Sequence, residues 1–177
     1  MALLPIRTYP DPVLRQRCAR IESFDEALRR LAADMIETMH VAPGVGLAAP
    51  QVGVPLRLTV VDPTGGKDAQ AIRVLVNPQI VASSGNQVDS EGCLSLPDFS
   101  DKVERPERVT LVASDLEGRP FELSGEGFLA RILCHEVDHL DGVLFVDRLR
   151  GLRRERARRH LKRLLRKGET AECVAES

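Results

Sequence analysis

Apolar residues recur along this chain at two spacings, and the spacing changes where the elements change. Leu28, Leu31, Met35 and Met39 fall three or four positions apart, on one helical face. Ser23-Phe-Asp-Glu26 just ahead has the form of a capping box, whose Ser and Glu side chains satisfy free N–H groups at a helix start. Together they predict a helix over 24–40, ended by Pro43-Gly44. Tyr9-Pro-Asp-Pro12 reads as extended or turn-like, because a residue before proline is pushed out of the α region. Pro50 and Pro55 keep the following stretch non-helical. Runs rich in β-branched residues at 56–62 and 73–81, separated by Pro63-Thr-Gly-Gly66, predict two strands, and Pro78 marks an edge or a break in the second. The segments 108–114 and 119–124 flank Leu116-Glu-Gly118 as an antiparallel hairpin. Helical spacing returns over 126–140, with Ser124 as a cap and Gly142 as a stop, and again over 147–167. Strands and helices do not alternate regularly, so the pattern predicts an α+β fold.

Length and composition narrow the class. At 177 residues the chain suits one domain, and its 43% hydrophobic share can fill one core. No stretch reaches the roughly 20 apolar residues of a membrane span. The start, Met1-Ala-Leu-Leu-Pro-Ile-Arg7, lacks a basic region followed by an apolar run, so no secretory signal is visible and a cytoplasmic protein is expected. Aromatics make up only 3%, without Trp, which disfavours modules that stack nucleic-acid bases. Neither a membrane nor DNA is an expected partner. The four cysteines, Cys18, Cys93, Cys134 and Cys173, have no CxxC spacing, so thiols or a ligand are expected rather than a zinc ribbon or a disulfide frame.

His135-Glu-Val-Asp-His139 carries the strongest chemical signal. Four helical residues advance about 400°, so the imidazoles lie about 40° apart on one face and can share a divalent metal. Glu136 is about 100° round from His135, placed to reach a metal-bound water without being a ligand. The competing reading is a helix whose histidines are satisfied by ordinary hydrogen bonds. A catalytic ion needs a third protein ligand and an open position. Downstream stand His160, Asp147, Glu155 and Glu169, none in a distinctive setting. Upstream, Cys93 sits in the Gly- and Pro-bounded Glu91-Gly-Cys-Leu-Ser-Leu-Pro97, where it could be a rigid thiolate or a small buried apolar side chain. In Gly44-Val-Gly-Leu-Ala-Ala-Pro-Gln-Val-Gly53 small residues permit close backbone approach, and Gln51 offers an amide donor for an oxyanion. The stretch matches no dinucleotide or phosphate loop.

Three motifs, in order, resemble the peptide deformylases: Gly44-Val-Gly-Leu-Ala-Ala-Pro-Gln51, Glu91-Gly-Cys-Leu-Ser95 and His135-Glu-Val-Asp-His-Leu-Asp-Gly142. Tyr9-Pro-Asp-Pro-Val-Leu14 and the helical C-terminus resemble the bacterial type, so the likeness spans about residues 3–167. Many members carry Gln where this chain has Cys134, which leaves the ligands intact but alters a neighbouring hydrogen bond. The resemblance implies antiparallel strands around a central helix bearing the HExxH motif, with an N-terminal and a C-terminal helix. It implies one catalytic domain over 1–168, including a basic helix at about 147–167, and a polar tail at 169–177. Cys93, His135 and His139 would bind one divalent ion, Fe²⁺ natively, with Zn²⁺, Ni²⁺ or Co²⁺ able to replace it. Glu136 would move the proton, and Gln51 with the Leu94 backbone N–H would face the oxyanion. Val45, Gly46, Phe128 and Ile132 are candidates for the methionine pocket, or plain core residues. The implied activity is removal of formate from the N-terminal formyl-methionine of new proteins, a step of protein biosynthesis. An HExxH metallopeptidase and a non-catalytic metal-stabilised binding module are the alternatives.

Charge adds a partner. The formal net charge is −1, yet 147–167 holds 11 Lys and Arg against two acids, so +9 there leaves −10 elsewhere. Leu149, Leu152, Ala157, Leu161 and Leu164 fall near one face, giving an amphipathic helix with a dense arginine face. C-terminal helices of bacterial deformylases can anchor to the ribosome, so docking near the peptide exit is expected.

Overall fold

The computed structural model describes residues 2–175, with side chains as far as Arg166. Five strands form one antiparallel sheet in the order β1 (Gly46–Ala48), β2 (Leu58–Val61), β3 (Arg73–Ser84), β6 (Arg108–Ser114) and β7 (Pro120–Glu126). β4 (Gln87–Cys93) and β5 (Leu96–Arg105) form a separate antiparallel hairpin. The helices are α1 (Glu26–Val41), α2 (Phe128–Leu140) and α3 (Gly151–Ala175).

β2 shows why its sequence reads as a continuous apolar run. Its four residues, Leu58, Thr59, Val60 and Val61, are all buried, because helices cover both sides of the sheet here. Leu58 and Val60 join Leu28, Ala32, Met35 and Met39 of α1 in one cluster. Val61 joins Ala130, Ile132 and Leu133 of α2, with Leu75, Val109 and Leu111, in another. Each large side chain so buried contributes roughly 1.5–3 kcal/mol. A third cluster, with Leu14, Leu96, Val103, Phe145 and Ala157, lies between the hairpin and α3.

The expected α+β class, the β6–β7 hairpin and all three helices are present, with shifted ends. α1 is capped by Asp25, whose carboxylate accepts from Leu28 N at 3.0 Å, so the Ser23 capping box does not form. The start of α2 is Phe128, after Gly127, because Ser124 and Glu126 are still paired to Thr110 and Arg108 in the sheet. Gly142 ends it as expected, with φ 72°, and a Cβ there would lie 2.6 Å from the Arg15 carbonyl oxygen. The first residues expected in the C-terminal helix form a 3₁₀ turn instead, Phe145–Arg148. α3 begins at Gly151 and runs through Ala175, past the expected end at Lys167 and through most of the expected polar tail. Residues 176–177 of that tail lie outside the described residues. The Tyr9–Pro10 peptide is cis, and the segment is turn-like, running into a short 3₁₀ turn at Pro12–Arg15. The second strand continues past the expected Val81 to Ser84, and its pairing shifts register between Val76 and Gln79, at Pro78. β1 and the β4–β5 hairpin were not expected from the sequence pattern.

Asp62, fully buried after β2, fastens the following turn. Its carboxylate accepts hydrogen bonds from Thr64 N (2.9 Å), Thr64 Oγ1 (2.6 Å), Gly66 N (2.7 Å) and His40 Nε2 (2.8 Å). Burial alone would raise its pKa, but the bonds from Thr64, His40 and Gly66 outweigh it and hold the carboxyl at about 2. Asp62→Ala therefore costs about 2–3 kcal/mol in urea unfolding at pH 7, since several donors lose their acceptor. Because the folded pKa lies below the ordinary value, this stability is present above about pH 4 and fades as pH falls towards 2. The gap between parent and Asp62→Asn should thus narrow between pH 4 and pH 2.

Candidate metal centre

Strand alternation and helix periodicity bring three ligand-type side chains together. Cys93 ends β4, where the pairing with β5 shifts register after the Gly92–Ser100 pair. His135 and His139 stand one turn apart on α2. His139 Nε2 lies 3.2 Å from Cys93 Sγ and 3.1 Å from His135 Nε2, and the ligand atoms of the trio all lie within 4.8 Å of one another. Glu91 accepts a hydrogen bond from His135 Nδ1 at 3.1 Å, which turns His135 Nε2 towards His139. Two imidazole nitrogens facing each other beside a sulfur form a donor set that suits a cation. A tetrahedral ion bound at about 2.0–2.3 Å spaces its ligands by roughly 3.3–3.8 Å, close to the spacing of His139 from each of its two partners, so the donor set fits a metal. Burial works against a thiolate at Cys93, but the imidazoles of His139 and His135 outweigh it and hold the thiol well below its ordinary pKa.

Glu91 is itself buried and held by cations. Its Oε1 accepts from Arg105 Nε (2.8 Å) and Arg131 Nη1 (2.7 Å), and its Oε2 from Arg105 Nη2 (3.0 Å). Arg105 Nη1 also donates to Asp138 Oδ2 at 2.6 Å, and Asp138 accepts from Arg148 as well. Burial would raise the Glu91 pKa, but His135 and Arg105 bring it down to about 2. Sequence reasoning missed this network. Its one signal was Glu91 itself, two residues before Cys93 and so on the same side of a strand.

Glu136 stands beside the trio in a niche shaped by glycine. A Cβ on Gly46 would lie 2.2 Å from Glu136 Oε1, so β1 can pass there only without a side chain. Thr59, on the α2 side of β2, places its Oγ1 3.3 Å from Glu136 Oε2 and 3.0 Å from the Leu47 carbonyl. Burial raises the Glu136 pKa, against the pull of His135 and His139. Gln51 is buried and fixed in orientation: Oε1 accepts from Ala48 N at 2.9 Å, while Nε2 donates to Ser95 Oγ at 3.2 Å and points at Cys93 Sγ, 3.5 Å away.

Of these groups Cys93, His135, Glu136, Gln51 and Glu91 line a cavity of about 400 Å³, together with Val45, Gly46, Leu94, Phe128 and Ile132. Ile132 is a buried wall, whereas Phe128 is 55% exposed at the mouth. The other residues weighed as third ligand lie elsewhere. His160 bonds the Pro97 carbonyl, Asp147 pairs with Arg15, and Glu155 pairs with Arg158; the Glu169 side chain lies outside the described residues. Cys18 and Cys134 are core thiols, each pushed up to about 11 by burial, and Cys173's side chain is outside the described residues. Cys134 packs with Val61, Ile132 and Leu133, so the position that often carries Gln is here part of the apolar core.

The family model for polypeptide deformylase matches residues 3–155. A peptide deformylase of Acidobacterium capsulatum is 47% identical, covering 96% of this chain and 99% of its own length. One from Alkalilimnicola ehrlichii is 50% identical, covering 95% and 94%. The crystal structure of a Legionella pneumophila peptide deformylase superposes with a TM-score of 0.85 at 49% identity, covering 95% of this chain and 98% of that one. With β4, β5 and α2 all inside the matched span, this chain belongs to the polypeptide deformylase family.

Proposed function

We propose that this protein hydrolyses the formyl amide at the amino terminus of formyl-methionyl nascent peptides, within a single catalytic domain over residues 1–168 and in the reducing cytoplasm. The observation that carries this is the Cys93–His135–His139 trio set beside a buried Glu136 in the wall of a 400 Å³ cavity. Sγ of Cys93 and Nε2 of both histidines would hold one divalent ion, Fe²⁺ natively, with Zn²⁺, Ni²⁺ or Co²⁺ as substitutes. Bound there, the ion would act as a Lewis acid, lowering the pKa of water and polarising a carbonyl. A closed binding module would need a fourth side chain, and among the described residues the ligand group contains three.

The remaining work falls to the chain's own groups. Hydrolysis joins water's oxygen to the formyl carbon and breaks the C–N bond, releasing formate and a free amine. Glu136 takes the water's proton and passes it to the leaving nitrogen, a task suited to a carboxyl whose pKa burial has raised. The Gln51 amide and the Leu94 backbone N–H donate to the oxygen as it gains charge. Val45, Gly46 and Ile132 receive the methionine side chain, with Phe128 at the rim.

Formate release from formyl-Met-Ala-Ser, with metal content measured in parallel, tests the reading. Cys93→Ala should lose bound metal and turnover together, while Cys18→Ala keeps both.

Glu136→Gln should retain metal and lose roughly 100-fold or more in turnover. Gly46→Ala should retain metal too, yet lose on the order of 10–100-fold because the new methyl displaces the Glu136 carboxylate.

Docking to the ribosome near the peptide exit is assigned to the outward side of α3, where Arg154 and Arg158 are exposed. Arginine meets phosphate through paired hydrogen bonds. Ribosome co-sedimentation should weaken steeply between about 50 and 200 mM salt. Arg154→Gln with Arg158→Gln should bind several-fold less at low salt and lower the salt slope by about one to two.

A further inference from the structure

A second cavity, of about 730 Å³, opens between α3 and the start of β5. Asp98 and Phe99 line both this groove and the metal-centre cavity, so the two adjoin across one shared rim. On the α3 side the groove is walled by Arg156, Arg159, Lys162 and Arg163, spaced as a single helical stripe. Arg156 lies 3.6 Å from Asp101, but among the described residues no carboxylate pairs with Arg159, Lys162 or Arg163. The rim is held in place: the Phe99 ring stacks with those of Phe145 (6.0 Å) and His160 (5.0 Å), and His160 Nε2 bonds the Pro97 carbonyl at 3.0 Å.

We propose that this groove receives acidic side chains of the substrate peptide beyond its third residue, so that the enzyme favours formylated chains with Asp or Glu at those positions. The inference rests on the deformylase reading, since it requires a peptide whose first residue occupies the metal-centre cavity. An extended peptide advances about 3.3 Å per residue, so a chain leaving that cavity over Asp98 and Phe99 enters the cationic groove within a few residues. Asp98 at the junction repels acids close to the cavity, and the cations beyond attract them. Among the described residues Phe99 is the one aromatic residue lining the groove and is already packed against Phe145 and His160, so the groove offers little on which nucleic-acid bases could stack, which favours a peptide over RNA.

The test compares formyl-Met-Ala-Ser-Glu-Glu-Glu with formyl-Met-Ala-Ser-Gln-Gln-Gln, using formyl-Met-Ala-Ser as a peptide too short to reach the groove. Exposed ion pairs are individually weak, so three of them should raise kcat/KM for the acidic peptide about fivefold at low salt. That preference should vanish in 0.5 M NaCl and in the Arg159→Gln, Lys162→Gln, Arg163→Gln variant, with the tripeptide rate unchanged. Equal rates for both hexapeptides in the parent, or a preference that survives in the variant, would overturn the proposal. Equal hexapeptide rates together with groove-dependent binding of an RNA oligonucleotide would assign the groove to phosphate instead. Absence of turnover on all three peptides would strike the deformylase reading alone. Fluorescence anisotropy of the labelled acidic hexapeptide, which needs no turnover, would then decide the groove: binding lost in the variant supports it, and binding equal to that of the neutral peptide overturns it.

Discussion

The buried carboxylate of Glu91 is the joint on which the metal centre depends. It links β4 to β5 through Arg105 and to α2 through Arg131 and His135. A carboxylate taken out of water loses several kcal/mol of solvation, and only well-placed cations offset that. Here both oxygens are used, by two guanidinium groups and an imidazole, so the geometry tolerates little slippage. The hairpin belongs to no larger sheet, and its position relative to α2 is therefore set by this cluster, while Leu96 and Val103 pack it against the 3₁₀ turn and α3. Since Glu91 and Cys93 lie on the same side of β4, fixing one carboxylate also fixes the thiol against the histidines.

Helix α2 makes the complementary bargain. Arg131, His135 and Asp138 recur at positions four and three apart, so one face carries both a metal-ligand residue and the ion network. The next face packs Ala130 and Leu133 on the sheet. Glu136 points between these faces into the niche left by Gly46 and Thr59. A side chain at position 46 or an apolar residue at position 59 would change the surroundings of that carboxylate without touching Cys93, His135 or His139. The Cys93–His135–His139 trio and the Glu136 carboxylate are thus supported by different parts of the fold, the hairpin for one and the sheet for the other.

That division also explains what was legible in the sequence. α1, the HExxH helix and the β6–β7 hairpin declare themselves through local periodicity, because each buries a regular apolar face. β4 and β5 do not. Val88 and Asp89 are exposed, Glu91 is buried as an ion, and only Leu96, Val103 and Arg105 point fully inward along β5. Their pairing rests on the backbone ladder and on charges contributed from other elements, which no single-strand pattern reveals. The capping error at α1 has a similar source: Ser23 and Asp25 are both competent caps, and the choice of Asp25 is made by how Phe24 and Leu28 pack in the folded chain. Of the pocket residues, Val45 and Ile132 emerge as walls, whereas Gly46 shows its role only once Glu136 is in place.

Helix α3 is where local reading and tertiary placement differ most. Its arginines read as a solvated face, and the family model ends at residue 155, near its beginning. Yet Ala157 and His160 are buried, and His160 closes a column of rings running from the metal centre. His135 stacks on Phe145 at 6.1 Å, Phe145 on Phe99 at 6.0 Å, and Phe99 on His160 at 5.0 Å. Flat rings in contact resist lateral displacement more than aliphatic side chains do, because offset stacking has a preferred geometry. Each ring comes from a different element: α2, the 3₁₀ turn after it, β5, and α3. The column therefore ties the C-terminal helix to the same imidazole that Glu91 orients, and the rim formed by Pro97, Asp98 and Phe99 lies between them. A change in how α3 docks would reach the mouth of the metal-centre cavity through this rim before it reached any ligand. The C-terminal helix is on this account part of the wall that shapes access to the site.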